Sequence, residues 1–112
     1  MGASKLKNFN RHQNKISRIA RALGHPARVA IIDHLIENKT SICEELVQIC
    51  QLSQPTVSRH LKVLICAGII SADFIENTQY FSVRLNAVEE LVRYLDYSVY
   101  RTVSSMNRAA RA

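Results

Sequence analysis

Apolar residues in the first third of the chain recur at helical spacing and predict two helices. The first covers residues 8–23 and stops at Gly24, because a glycine with a proline close behind it ends a helix. Its apolar face is formed by Ile16, Ile19, Ala20 and Leu23. Pro26 suits the first turn of a second helix, where its missing N–H costs nothing, and this helix runs to a break at Asn38.

Two more helices follow, separated by a short turn. Thr40 or Ser41 is expected to cap the third helix, which ends near Cys50. Ser53 is the expected N-cap of the fourth helix, and Gly68 ends it. The inward stripe of the fourth helix consists of Val57, Leu61, Leu64 and Ile65.

The last third of the chain predicts a hairpin and a long helix. β-branched and aromatic residues fill positions 69–75 and 79–85, on either side of the tight-turn sequence Glu76-Asn77-Thr78. A final helix over residues 86–104 carries apolar side chains at helical intervals, namely Val88, Leu91, Val92, Leu95, Val99 and Val103. The fold class is therefore mainly α with a small β-hairpin, in the order α-α-α-α-β-β-α.

The third and fourth helices have the layout of a helix-turn-helix. A helix fits the major groove of duplex DNA, where short polar side chains reach base edges and cationic side chains pair with phosphates or guanine. The residues predicted to bind DNA lie on the fourth helix and at the hairpin tip: Ser53, Gln54, Thr56, Ser58, Arg59, Lys62, Asn77 and Thr78. Among them, Gln54, Thr56 and Ser58 are expected to face bases, and Arg59 and Lys62 to face the backbone.

The length of the chain indicates one domain, and the distribution of its charges indicates the kind of partner it binds. The 112 residues suffice for a single winged helix-turn-helix domain over 1–112, with flexible basic tails expected at 1–7 and 105–112. The net charge is +6, and seven Lys and Arg residues precede the first acid, Asp33. Such segregation is typical of a protein that binds a polyanion, although a basic solvated surface would also produce it.

Other classes of protein fit the sequence less well. No apolar run reaches the roughly 20 residues that a membrane span needs. Three cysteines give an odd count that fits no disulfide framework, so we expect reduced thiols and a cytoplasmic protein. No Gly-rich phosphate loop, nucleophile motif or facing acid pair is found, and an enzyme is not expected.

Three segments of the sequence carry a family resemblance: Ala22–Arg28, Leu52–Leu64 with the adjoining Ala67–Ile70, and Tyr80–Val83. Together they resemble the arsenic-repressor (ArsR/SmtB) family of winged helix-turn-helix regulators. The resemblance implies a dimeric bacterial repressor that binds double-stranded DNA and releases it in response to a signal. It also implies a dimer interface between the first and last helices, which here would include Ile16, Ile19, Leu91, Leu95 and Val99.

The chain departs from that family at its metal sites. The thiol pair expected at the start of the third helix is missing, because Cys43 stands there alone, and the last helix has no histidine. We therefore predict no metal and no cofactor.

Cys43 is also the candidate redox residue, since a helix N-terminus favours a thiolate. The alternative is a thiol that packs as a small hydrophobe. A Cys43→Ser protein whose DNA affinity still responds normally to peroxide would contradict the redox role.

Two other functions are compatible with the same pattern. A winged-helix protein-interaction module would use this fold without sequence-specific DNA binding. A nucleic-acid binder without sequence preference would bind specific and random duplexes equally.

Overall fold

A computed structural model describes residues 7–111. Its elements are α1 Arg11–Ala22, α2 Pro26–Asn38, α3 Cys43–Cys50, α4 Gln54–Cys66, β1 Ile70–Ile75, β2 Thr78–Val83 and α5 Leu85–Arg111. This order confirms the predicted four helices, hairpin and final helix. Of the predicted N-terminal tail, only Lys7 lies within the described residues, and it is exposed.

α1 begins later than the apolar pattern predicts because a capping box sets its first turn. The Asn10 side chain accepts a hydrogen bond from the Gln13 N–H (2.7 Å), and the Gln13 side chain accepts one from the Asn10 N–H (3.1 Å). This reciprocal pair satisfies two backbone donors that a helix start would otherwise leave open. The helix therefore begins at Arg11 and not at residue 8.

The predicted capping of α3 by Thr40 or Ser41 is wrong. Ile42 takes the N-cap position and makes no side-chain capping bond. Ser41 is buried and exchanges two backbone hydrogen bonds with Phe81 of β2, at 3.1 and 2.8 Å. Its hydroxyl donates to Glu45 Oε2 (3.2 Å). Ser41 thus fastens the start of α3 to the sheet.

The core lies where the first four helices meet the hairpin. Its buried apolar side chains are Ile19, Ala22, Ile31, Ile32, Leu35, Leu46, Val57, Leu61, Leu64, Ile69, Ile70, Phe81 and Ala87. Each large aliphatic side chain among them stabilises the fold by roughly 1.5–3 kcal/mol. Ile19 is only 1% exposed, so its predicted place in a dimer interface is corrected: it packs inside its own chain.

The hairpin forms the wing of the fold. β1 and β2 pair antiparallel from Ile70 opposite Val83 to Ile75 opposite Thr78. Glu76 and Asn77 form the two-residue turn with φ of 51° and 69°, as a type I′ hairpin turn requires at both central positions. The turn therefore fixes the register of the strands.

α5 is longer than predicted and extends away from the rest of the domain. It continues to Arg111, so residues 105–111 are helical and the predicted helix end near 104 is wrong. Its 27 residues span about 40 Å, within a molecule of 63 × 35 × 25 Å. None of the helices in the described chain is long and apolar enough to cross a bilayer.

Candidate nucleic-acid interface

The turn between α3 and α4 sets the direction in which α4 presents its side chains. Gln51 ends α3 in the left-handed conformation (φ 53°), and Ser53 caps α4 by accepting a hydrogen bond from the Thr56 N–H (3.4 Å). Such a cap is worth about 1 kcal/mol to a helix. The inward side of α4 is buried through Val57, His60, Leu61 and Leu64. The remaining positions of the helix therefore face outward.

Two of the predicted base-contacting residues, Gln54 and Ser58, lie along one edge of this outward face, and the third, Thr56, lies on the opposite edge. Gln54 is exposed and donates from Nε2 to Ser58 Oγ at 2.7 Å, which ties two of the three together. Thr56 and Ser58 are half-buried. The Thr56 hydroxyl lies 2.9 Å from Ser53 Oγ, so it completes the helix start. Gln54 is therefore the most accessible of the three predicted base contacts.

The predicted backbone contacts lie nearer the middle of the outward face of α4. Arg59 and Lys62 are both exposed, and together with Arg18, Arg21 and Arg28 they line a cleft between α4 and α1. The sequence indicated a basic N-terminal segment but gave no sign that it lies beside α4, since the two helices are far apart along the chain.

The wing adds one residue that the sequence analysis missed. Asn77 and Thr78 lie at the hairpin turn, where the sequence placed them, and Asn77 is exposed while Thr78 is half-buried. Gln79 shares a shallow pocket with Gln54 and Ser58. The alternation of β2, which puts Gln79 on the same face as the buried Phe81, was the signal that could have identified it.

A buried histidine joins α4 to the start of α2. The Arg28 guanidinium lies 3.1 Å from His60 Nδ1, and the His25 and His60 ring centroids are 4.4 Å apart. Burial lowers the pKa of His60, and the nearby charges of His25 and Arg28 lower it further. His60 thus packs and bonds locally within the domain.

The three cysteines lie in different surroundings. Cys43 is half-buried, with Sγ 4.0 Å from Ser58 Oγ, while Cys66 is exposed at the end of α4. Burial raises the pKa of the Cys50 thiol. Within residues 7–111, no group of three or more His, Cys, Asp and Glu side chains is placed to hold a metal ion.

The remaining residues predicted for a dimer interface lie on α1 and α5. Leu95 and Val99 are 52% and 62% exposed, whereas Ile16 and Leu91 are half-buried between the two helices. α1 and α5 are joined by an ion pair between Lys15 Nζ and Glu90 Oε1 (2.9 Å). This packing gives α5 a fixed base, from which its apolar side chains project.

The fold and this outward helix define the class: the chain is a winged helix-turn-helix protein. The model of the bacterial regulatory protein family arsR matches residues 25–72, which include all of α2, α3 and α4. Across its helix-turn-helix the chain is therefore similar to the ArsR/SmtB family of regulators.

Two curated relatives show the same similarity. An uncharacterized HTH-type transcriptional regulator of Methanocaldococcus jannaschii is 29% identical over 82 residues, covering 73% of this chain and 92% of that protein. The HTH-type transcriptional repressor SmtB of Mycobacterium tuberculosis is 40% identical over 55 residues, covering 49% of this chain. That match spans only 40% of the SmtB sequence.

Solved structures share the fold. An ArsR-like transcriptional regulator from Rhodococcus sp. RHA1 superposes with a TM-score of 0.73 at 15% identity, covering 88% of this chain and 94% of that one. A winged helix-turn-helix DNA-binding domain from Mycobacterium bovis, described as homodimeric, gives a TM-score of 0.61 at 21% identity. That second match covers 85% of this chain and 82% of the neighbour.

Proposed function

We propose that the protein is a transcription repressor that binds a specific double-stranded DNA sequence as a homodimer and acts in the cytoplasm. A signal, still to be identified, would release it from DNA. The single observation that carries this proposal is the outward face of α4, where Gln54, Arg59 and Lys62 are all exposed on a helix held by a cap and a buried stripe. A rigid helix of this kind presents bonding groups to base edges without first having to be ordered.

The expected division of roles follows from side-chain chemistry. The Gln54 amide offers a donor and an acceptor, the combination that reads adenine in the major groove. Arg59 and Lys62 are cations that hold the phosphate backbone and set the register of the helix. The turn of the wing carries no Lys or Arg, so we assign Asn77 and Thr78 a minor share of the binding.

Dimerisation is supported by the surface of α5 and by the description of the M. bovis neighbour as homodimeric. Large apolar side chains are exposed along most of α5: Leu85, Val92, Tyr94, Leu95, Tyr97, Val99, Tyr100, Val103 and Met106. A monomer rarely leaves so much apolar surface in water. A symmetric pair would place two copies of α4 about 34 Å apart, in successive major grooves.

The proposal is tested by capturing genomic fragments on the purified protein and then letting the enriched duplex compete with a random duplex of equal length. We expect the enriched fragment to bind about a thousandfold more tightly, the lower end of ordinary sequence specificity. Equal competition would identify a binder without sequence preference. Failure to bind either duplex would favour a protein-interaction module.

A further inference from the structure

The cleft between α1 and α4 gathers positive charge from several helices. Five cationic side chains from three helices line it: Arg18, Arg21, Arg28, Arg59 and Lys62. No acidic residue lines it. The ion pairs found within residues 7–111 involve none of these five side chains. The cleft therefore concentrates charge that the chain itself leaves uncompensated.

Arg28 is held in place before any ligand arrives. Its Nε donates to the Ala22 carbonyl (2.7 Å), and one terminal nitrogen donates to the Arg21 carbonyl (3.2 Å). The other terminal nitrogen lies 3.1 Å from His60 Nδ1. An anion that pairs with this guanidinium does not have to order it first, and such preorganisation favours binding.

The floor of the cleft has a different character from its rim. Val63 and Ala67 supply apolar surface, and Val63 is 38% exposed. The cavity volume is about 530 Å³. Sites for small organic ligands usually measure roughly 300–1,000 Å³ and combine apolar walls with a few polar groups. An inorganic anion has no apolar group that could contact this apolar floor.

We propose that the cleft binds an organic phosphate monoester or diphosphate that bears an aliphatic group. Arginine forks match phosphate oxygens in pairs. A dianion also balances several cations better than a singly charged phosphodiester does. The aliphatic group would cover Val63 and Ala67.

Occupancy of the cleft would oppose DNA binding, an effect that rests on the function proposed above. Arg59 and Lys62 line the cleft and are also the predicted contacts to the DNA backbone. A phosphate ester that engages them would withdraw two cations from the duplex and reduce its electrostatic attraction. The cleft would then receive the signal that releases the protein from DNA.

Binding is measured first without DNA, by calorimetry of the full chain with hexyl phosphate, inorganic phosphate and hexanol at low ionic strength. We expect one saturable site per chain for hexyl phosphate, weaker binding of inorganic phosphate, and no saturable binding of hexanol. Equal affinities for hexyl phosphate and inorganic phosphate, or no saturable site for hexyl phosphate, would overturn the proposal.

Variants then locate the site. Arg18→Gln with Arg21→Gln is expected to weaken hexyl phosphate at least about tenfold, since each charge-assisted bond contributes substantially. Val63→Asp, which places a negative charge on the floor, should do the same, and circular dichroism checks that both proteins are folded. The matched control, Arg108→Gln with Arg111→Gln, removes the same two charges at the end of α5 and should leave affinity unchanged. Equal losses in the control would overturn the location.

DNA-binding measurements in the presence of hexyl phosphate test this proposal separately from the function on which it rests. Hexyl phosphate should lower the affinity of the wild-type protein for its captured fragment, but not that of the Arg18→Gln, Arg21→Gln protein. Calorimetric binding in a protein that has no preferred duplex would refute the regulator and leave the ligand site standing. If hexyl phosphate fails to bind and the double variant loses DNA affinity, the cleft is a backbone contact and the proposal is wrong.

Discussion

Replacing both Leu95 and Val99 with glutamate is expected to convert the protein into a monomer and to abolish most of its affinity for a two-fold symmetric DNA site. The two side chains lie one turn apart on α5 and are both more than half exposed. Pairing two chains here would bury four added carboxylates, and each unpaired buried charge costs several kcal/mol. A monomer would reach only one half-site, so we expect DNA affinity to fall by at least about a hundredfold.

Sedimentation velocity measures the mass, and a gel-shift titration measures the affinity for DNA. The matched control places glutamates at Ser105 and Asn107, which are exposed near the end of α5, and so makes the same change in charge. That control should stay dimeric. A Leu95→Glu, Val99→Glu protein that sediments as a dimer would refute the role assigned to this face.

Replacing Gln54 with alanine is expected to reduce discrimination between sequences more than it reduces general affinity for DNA. A bidentate base contact contributes about 1–3 kcal/mol of discrimination, which corresponds to roughly 5- to 150-fold in the ratio of specific to random binding. The variant also removes the donor that binds Ser58 Oγ, so the second predicted base contact loses its partner. The affinity for random duplex and its salt dependence should change little.

Lys62→Gln is the comparison variant, because Lys62 is assigned to the backbone. It should weaken specific and random duplexes alike and reduce the slope of log affinity against log salt by about one. Competition titrations at several salt concentrations separate the two patterns. If Gln54→Ala behaves like Lys62→Gln, then α4 does not read bases through this residue.

The sequence predicts the helix-turn-helix well because its signals are local. Ser53 caps α4 as expected, and Gly68 follows the helix end with a positive φ of 75°, a conformation that favours glycine. The α3 cap was wrong for a reason outside the local sequence. Ser41 has the chemistry of a cap, but its hydroxyl bonds to Glu45 and its backbone to Phe81. The contact with Phe81, which is distant in sequence, cannot be read from a capping pattern.

Apolar spacing also leaves two questions open. It cannot separate a core residue from an interface residue, because both are apolar, and Ile19 was misplaced for that reason. It also underestimates α5, since the apolar stripe fades after Val103 although no Gly or Pro follows to stop the helix. The Ala and Arg residues near the C-terminus are good helix formers and carry it to Arg111.

Part of the candidate site could be predicted from local sequence patterns, and part of it could not. The outward position of Gln54 and Arg59 follows from helical periodicity within α4 alone. The cleft does not, because Arg18 and Arg21 reach it only through the packing of α1 against the rest of the domain. Contacts between helices that are far apart along the chain cannot be predicted from local patterns in a single sequence.

The distal half of α5 implies that association and folding form one equilibrium. From Val99 to Arg111 no side chain is buried, so this stretch gains almost no support from its own chain. A helical segment this short is marginally stable in water when nothing packs against it. A second chain packed against this segment would therefore stabilise it as a helix. Dilution would dissociate the dimer and unfold the segment at the same time. The concentration of the protein in the cell would then set how many ordered dimers are available to bind DNA, before any signal acts on them.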